Sequence, residues 1–222
     1  HVQNLNNRGV YLNQKQYAAY KFTGPGTDLR VGMPKNHFWG SAEMESTTNI
    51  LSLVNIPTGE VFCGPDRNNV NGTVSSTKPL VIGGSLIDKL KIGFENGKVT
   101  EASAEVGEDL MMKILDTDEG SRRLGEIALV PHSSPISKSG KLFYNTLYDE
   151  NASCHLALGS AYRQIIKGGK DMTDEEFEAA GGNISKKHVD FMVGSDEVDV
   201  DGLTASGDSE PVMRSGEWAF EL

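Results

Sequence analysis

Short apolar runs separated by glycine, asparagine and proline form the main pattern along this chain. In residues 90–94 and 98–100, apolar and polar positions alternate on either side of the dipeptide Asn96-Gly97. Asparagine followed by glycine supplies the two positive φ angles that a two-residue hairpin turn requires. The pattern therefore predicts an antiparallel hairpin in this region.

Further strands are predicted wherever a short apolar run is bounded by turn-forming residues. These runs are residues 29–32, 127–130, 155–159 and 189–193. Residues 196–202 are expected to form an acidic turn. Residues 1–21 and 34–48 show no clear period, so no element is predicted there.

Three segments are expected to be helical: residues 106–115, 141–149 and 172–179. In the first, Glu108 and Asp109 would lie in the opening turn, where the helix dipole favours negative charge. In the third, Thr173 and Glu176 have the spacing of a capping box, and the glycines at 181 and 182 would end the helix.

The predicted strands outnumber the helices and do not alternate with them. This order disfavours a doubly wound parallel sheet. A chain of 222 residues fits one generous domain or two small ones at roughly 150 residues each. We therefore expect an α+β fold, a single domain built on a mixed, largely antiparallel β-sheet with flanking helices.

Composition and charge narrow the range of partners. The chain has 21 Lys and Arg against 31 Asp and Glu, a formal net charge of −10, so a nucleic-acid backbone would be repelled. The sequence contains neither an apolar run near 18 residues nor a signal peptide, so no membrane association is expected. Two cysteines make no disulfide framework, which fits a cytoplasmic location.

Two histidines and several acids occupy positions where metal ligands are expected. His188 and Asp190 are two residues apart at the start of a predicted strand, so their side chains point to one face. His155 lies in an apolar run, and Glu60 and Glu126 each abut an apolar strand. Buried carboxylates are costly unless they are paired or metal-bound.

Each position also has an ordinary structural interpretation: a solvated strand edge for the 188–190 pair, a hydrogen-bonded core histidine at 155, and surface strand ends at 60 and 126. Taken together, however, carboxylates and imidazoles form a hard-donor set that needs no thiolate. Such a set suits a two-metal hydrolase better than a structural zinc site.

Other motifs are weaker. Residues 197–202 imitate the start of a calcium loop but lack its final bidentate glutamate. Three formal glycosylation sequons, one of them at Asn151, are expected to occur by chance. His132 with Ser133 and Ser134 has no nucleophile elbow, so a serine hydrolase is not supported.

Four longer runs carry a specific resemblance: NIPTGEVF (55–62), LGEIALV (124–130), NTLYDENASCH (145–155) and SKKHVDFM (185–192). From about Gly24 to Leu222 the sequence resembles the catalytic half of the thermophilic-type metallo-aminopeptidases. The resemblance implies that residues 1–222 form a C-terminal metal-binding catalytic domain. It also implies that an N-terminal α/β domain of the same protein is absent from this chain.

The resemblance places the family's metal ligands on Glu60, Glu126, Glu150, His155, His188 and Asp190 and a site tyrosine on Tyr162. Glu126 is expected to bridge two ions, with Glu60 and His155 completing one site and the remaining ligands the other. Tyr162 would donate a hydrogen bond to the oxyanion, unless it is a core tyrosine. The general base is left open between Asp149 and a ligand carboxylate that loosens.

The resemblance implies a cytoplasmic aminopeptidase that hydrolyses N-terminal residues from peptides through two divalent metal ions and a metal-activated water. Zinc is the first expectation, with cobalt, manganese or magnesium as alternatives. A homodimer is also implied, with Phe38, Trp39 and Trp218 as interface or core residues. The competing interpretations are an isolated metal-binding or dimerisation domain with little activity and another binuclear amidase or phosphoesterase.

Overall fold

The computed structural model describes residues 1–46, 48–53 and 55–222. Within these ranges the α-helices are α1 (Val2–Lys15), α2 (Glu108–Leu115), α3 (Pro135–Lys138), α4 (Thr146–Asp149) and α5 (Asp174–Ala179). Short 3-10 helices cover Gly120–Arg122, Glu150–Ala152, Arg163–Ile165 and Gly169–Asp171. None of the described helices has the length and apolar character that a membrane crossing needs.

Strands make up most of the regular structure. In chain order they are β1 (Ala19–Gly24), β2 (Thr27–Gly32), β3 (Glu43–Glu45), β4 (Leu51–Leu53), β5 (Val61–Cys63), β6 (Val70–Ser75), β7 (Leu80–Ile82), β8 (Ser85–Ile87), β9 (Lys91–Glu95), β10 (Lys98–Ser103), β11 (Leu124–Leu129), β12 (His155–Gly159), β13 (His188–Met192), β14 (Asp199–Leu203), β15 (Ser209–Arg214) and β16 (Glu217–Trp218).

Two sheets organise these strands. The larger sheet has the order β10-β9-β6-β2-β1-β14-β15-β16, and the smaller has the order β13-β12-β11-β5. The pairs β3-β4 and β7-β8 form separate hairpins. Among the described strands every pairing is antiparallel, which confirms the α+β class and the largely antiparallel sheet.

One hydrophobic core joins both sheets and the helices α1, α2 and α5. It contains Phe22 of the larger sheet, Ile127 of the smaller sheet, Leu12 of α1 and Met111 of α2. Trp39 is 1% exposed and packs edge-to-face on a buried tyrosine at position 20. Because its indole lies in this core, Trp39 is not an interface residue.

Several predicted elements are confirmed with small shifts. The hairpin is β9-β10, and Asn96 and Gly97 have φ angles of 50° and 80°. Helix α2 begins at Glu108, two residues later than predicted. Helix α5 begins at Asp174, and Thr173 caps it in the predicted box. The predicted strand 155–159 is β12, and the other predicted strands overlap β2, β11 and β13.

Three segments differ from what the sequence pattern indicates. The amide-rich N-terminal segment forms α1, which buries only Leu5, Gly9 and Leu12 and so shows little apolar signal. In the predicted helix 141–149 only α4 is helical. The expected acidic turn overlaps β14, whose Val200 is buried in the core while Arg214 lies against its aspartates at 199 and 201.

Candidate metal centre

The smaller sheet presents the predicted ligands on a single face. Glu126 of β11 lies opposite Ala157 of β12, which in turn lies opposite Asp190 of β13. Residues directly opposite each other in an antiparallel pair share a face, as do residues two apart along a strand. His155 and His188 therefore project from the same face as these two acids. The small side chain of Ala157 leaves room between them.

A β-bulge at Gly125 turns Glu126 toward this face. Leu124 pairs with Leu158, but Glu126 pairs with Ala157, so β11 has one residue more than β12 here. The bulge sends Leu124 to the core side and Glu126 to the site side. A Cβ at position 125 would lie 2.2 Å from the carbonyl oxygen of Gly159, so the bulge requires glycine.

The other three residues reach the site from segments that flank the sheet. Glu60 directly precedes β5, the edge strand next to β11. Glu150 follows α4, whose first turn is capped by the side chain of Asn145. Tyr162 follows a bend at Gly159, which has a φ of 105°, and it lines the same cavity as Glu126 and His188.

Glu126 lies between the two imidazoles. Its Oε1 is 3.5 Å from Nε2 of His155, and its Oε2 is 3.4 Å from Nε2 of His188. Each histidine also contacts an outer carboxylate. Oε2 of Glu60 is 3.0 Å from Nε2 of His155, and Oδ1 of Asp190 is 3.3 Å from Nε2 of His188. One carboxylate thus presents a separate oxygen to each histidine.

Among the described residues, three overlapping groups place their donor atoms within 4.8 Å of one another: Glu60-Glu126-His155, Glu126-His188-Asp190 and Glu150-His155-Asp190. Glu126, His155 and Asp190 each belong to two of the groups, so the groups share donors. The separate oxygens that Glu126 presents to the two histidines are what fit a bridging ligand. Glu150 is grouped with His155 and Asp190, whereas the sequence prediction had grouped it with His188 and Asp190. All six predicted ligands therefore meet around one small volume.

The backbone fixes the orientation of both imidazoles. Nδ1 of His155 lies 3.2 Å from the carbonyl oxygen of Ser153, and Nδ1 of His188 lies 2.7 Å from that of Ser160. A carbonyl oxygen can only accept, so each Nδ1 donates and each Nε2 is turned toward the carboxylates. This orientation by a second group is typical of metal-binding histidines.

The electrostatics of the site follow from burial and mutual proximity. Burial opposes the charged form of Glu126, but His155 and His188 outweigh it and lower the pKa of Glu126 to about 2. Burial also opposes protonation of His188, but Asp190 and Glu126 outweigh it and raise its pKa to about 11. The carboxylates raise the pKa of His155 well above its usual value despite complete burial.

The pKa values of Glu60 and Glu150 shift in the opposite direction. Burial is the main cause that raises the pKa of Glu60, and burial with the charge of Glu60 raises the pKa of Glu150 to about 8. Oε2 of Glu60 is buried, and Nε2 of His155 lies 3.0 Å from it. An acid-rich site that also holds two imidazoles fits divalent cations, which favour oxygen and imidazole donors.

A cavity of about 410 Å³ opens onto these side chains. Met44, Phe62 and Leu147 form an apolar part of its wall. The phenol of Tyr162 is 49% exposed, and its ring centroid lies 5.4 Å from that of His188. Tyr162 is therefore a residue of the cavity and not of the core.

Asp149 has a structural environment. It is buried, and its two carboxylate oxygens accept hydrogen bonds from the backbone N–H groups of Phe143 and Asn145. Both oxygens are thus used in holding the loop before α4. A general base at this position is not favoured, which leaves a ligand carboxylate as the alternative.

Sequence reasoning missed the residues that shape the site without ligating. The bulge at Gly125, the small Ala157 and the buried amide of Asn151 had no role in the prediction. The sequence does contain a signal for this shape: Glu126 alternates with Ala128, and His155 alternates with Ala157. It marks a strand face on which space has been left between ligands.

The chain matches the family model described as thermophilic metalloprotease (M29) over residues 1–218. Aminopeptidase AmpS of Bacillus subtilis (strain 168) is 50% identical over 220 residues, which cover 99% of this chain and 54% of the relative. Aminopeptidase PepS of Streptococcus thermophilus is 47% identical over 220 residues, with coverages of 99% and 53%. The chain spans about half the length of these relatives.

Two solved structures are also similar to this chain. Wild-type AmpT from Thermus thermophilus superposes with a TM-score of 0.93 at 44% identity, covering 99% of this chain and 54% of that one. A 2,5-dihydroxypyridine dioxygenase from Pseudomonas putida KT2440 has a TM-score of 0.63 at 11% identity, covering 97% and 59%. The second likeness concerns the fold alone.

The histidine environments predict different protonation states at pH 7 in protein stripped of metal by a chelator. His155 and His188 should be doubly protonated, because their raised pKa values keep the proton until the pH approaches about 11 for His188. His37 should be neutral, because burial lowers its pKa. Imidazole ¹⁵N chemical shifts recorded between pH 6 and 10 measure all three. A titration midpoint of His188 near pH 6.5, the ordinary value for histidine, would contradict the raised pKa that its neighbouring carboxylates cause.

Proposed function

The chain belongs to the thermophilic metalloprotease (M29) family, and from this membership and the site geometry we propose that it is the catalytic part of a metallo-aminopeptidase. The proposed centre holds two divalent metal ions and removes N-terminal residues from peptides. The observation that carries the proposal is Glu126, which presents one oxygen toward each of two oriented histidines. A bridging carboxylate between two imidazoles is suited to a pair of ions.

Each ligand group has a distinct place in this proposal. Glu60 and His155 would hold one ion, His188 and Asp190 would hold the other, and Glu126 would bridge them. Glu150 would complete the centre from the side of His155. Ions bound there would polarise the scissile carbonyl and lower the pKa of water, two known contributions of paired metals to hydrolysis.

The protein's own side chains would bind and orient the peptide. The positive N-terminal amine is attracted to an acid-rich site, while the apolar wall with Met44 and Phe62 accommodates a side chain. Burial is the main cause that raises the pKa of Tyr162, so its hydroxyl stays protonated at neutral pH and can donate to a developing oxyanion. A ligand carboxylate that loosens, such as Glu150, can act as the general base.

The bond that is cut can be tested with two chromogenic substrates. The chain loaded with zinc should hydrolyse an aminoacyl p-nitroanilide and leave p-nitrophenyl phosphate intact, and chelation should abolish the activity. An N-acetylated aminoacyl p-nitroanilide is the matched control, since it lacks the free amine. Hydrolysis of the phosphate ester alone would favour a phosphoesterase. Two bound zinc ions without any hydrolysis would favour a metal-binding domain that needs the rest of its protein.

The variants Glu126→Gln and Tyr162→Phe should separate metal binding from catalysis. Loss of the bridging charge disturbs both ions, so Glu126→Gln should bind less than half of the wild-type zinc, measured by plasma emission after dialysis. Tyr162→Phe should retain the zinc and lose kcat by about 10²–10³-fold, the usual cost of one oxyanion donor. Equal zinc loss in both variants would make Tyr162 structural.

We also propose that the protein is a cytoplasmic homodimer. Exposed apolar side chains in two segments beside the cavity support a contact surface: Ile50, Leu51, Ile56, Phe143 and Tyr144. Light scattering at micromolar concentration should give twice the mass of the chain. The monomer mass would instead assign these side chains to contacts with the remainder of a longer protein.

A further inference from the structure

The side-chain amide of Asn151 connects two segments of the proposed metal centre. Asn151 is 2% exposed, and its Oδ1 accepts a 2.6 Å hydrogen bond from the backbone N–H of Gly59. Its Nδ2 donates a 2.9 Å hydrogen bond to the carbonyl oxygen of Leu147 in α4. One buried amide therefore joins the segment before β5 to the helix that precedes Glu150.

The two segments carry carboxylates that repel each other. Gly59 directly precedes Glu60, and Asn151 directly follows Glu150. Without a cation, two carboxylates brought into one buried site disfavour each other's ionised form. The amide is neutral, so it can hold the two backbones together without adding a third charge. An amide side chain supplies the acceptor and the donor of this contact from two separate atoms.

A third segment fixes Asn151 itself. Its backbone carbonyl oxygen accepts a 2.8 Å hydrogen bond from Oγ of Ser134, which is 4% exposed. Ser134 also caps α3 by accepting from the backbone N–H of Ser137. The backbone of Asn151 is thus fixed by a hydrogen bond from a buried serine. Its burial also rules out the glycosylation sequon at this position as a modification site in the folded chain.

We propose that Asn151 is a positioning residue that sets the separation of Glu60 and Glu150 and thereby the affinity of one of the two ions. The inference rests on the proposed function. The group Glu126-His188-Asp190 contains neither of these two carboxylates. We therefore expect a substitution of Asn151 to weaken chiefly the ion beside His155, although Asp190 is shared with the group Glu150-His155-Asp190.

The test is a zinc titration of the Asn151→Ala chain in competition with a fluorescent chelator. One zinc ion should bind about 10–100-fold more weakly than in the wild type, the usual cost of losing a group that orients a ligand. The other ion should keep its affinity within about threefold. If the wild type binds two zinc ions and Asn151→Ala binds both with the same affinities, this inference is overturned while the proposed function is not. A wild type that binds fewer than two zinc ions would refute the proposed function and this inference with it.

Asn13→Ala is the matched control for the loss of a bidentate amide. Oδ1 of Asn13 accepts from the backbone N–H of Trp39 at 2.8 Å, and its Nδ2 donates to the carbonyl oxygen of Trp39 at 3.0 Å. The control removes the same two kinds of hydrogen bond from a place without metal ligands. Thermal unfolding of both variants measures the general loss of stability. A zinc affinity that falls equally in both would overturn a positioning role.

Gly59→Ala perturbs the same contact from its other side, because a Cβ there would lie 3.3 Å from Oδ1 of Asn151. If this contact sets the affinity for the zinc ion beside His155, Gly59→Ala should also weaken the binding of that ion. The double variant should then bind that ion no more weakly than Asn151→Ala alone, since the effects of two substitutions that act through one contact do not add. If the two substitutions each lower the zinc affinity and their effects add in the double variant, the inference is overturned.

Discussion

The burial of one carboxylate between two imidazoles is the interaction on which the rest of this site depends. Glu126 is 5% exposed, and a lone buried carboxylate is among the most costly groups in a protein interior. His155 and His188 remove that cost, and their Nδ1 atoms are in turn fixed by backbone carbonyls. Any displacement of the sheet that separates these three side chains leaves an unpaired charge. The sheet register is therefore an electrostatic requirement as much as a packing one.

The smaller sheet meets this requirement with different residues on its two faces. On one face leucines and isoleucines, such as Ile127 and Leu156, join the common core. On the other face ligands alternate with alanines, which leave the volume that charged groups need. The bulge at Gly125 is what allows Leu124 and Glu126 to lie on opposite faces although they are two residues apart. A hydrophobic core and an acidic cavity can thus lie on either side of one layer.

Much of the fold and most of the site could be predicted from sequence, for reasons that differ between residues. His188 and Asp190 followed from strand alternation, and Glu60 and Glu126 from acids placed against apolar runs. Glu150 and Tyr162 came only from family resemblance, since each follows a short irregular segment without a period. Helix α1 was missed although Val2, Leu5 and Leu12 have helical spacing, because polar residues dominate between them. The register shift and the amide contact of Asn151 depend on pairing between distant segments.

The same electrostatics explain how such a site can fold before it binds metal. With histidine pKa values far above their usual range, the imidazoles keep protons that offset the carboxylates at neutral pH. A divalent ion that takes the Nε2 positions must displace those protons, so binding weakens as the pH falls. The core of two sheets does not depend on that exchange. Metal would therefore add to the stability of a chain that is already folded, unlike in small zinc domains, where the ion supplies the folding energy.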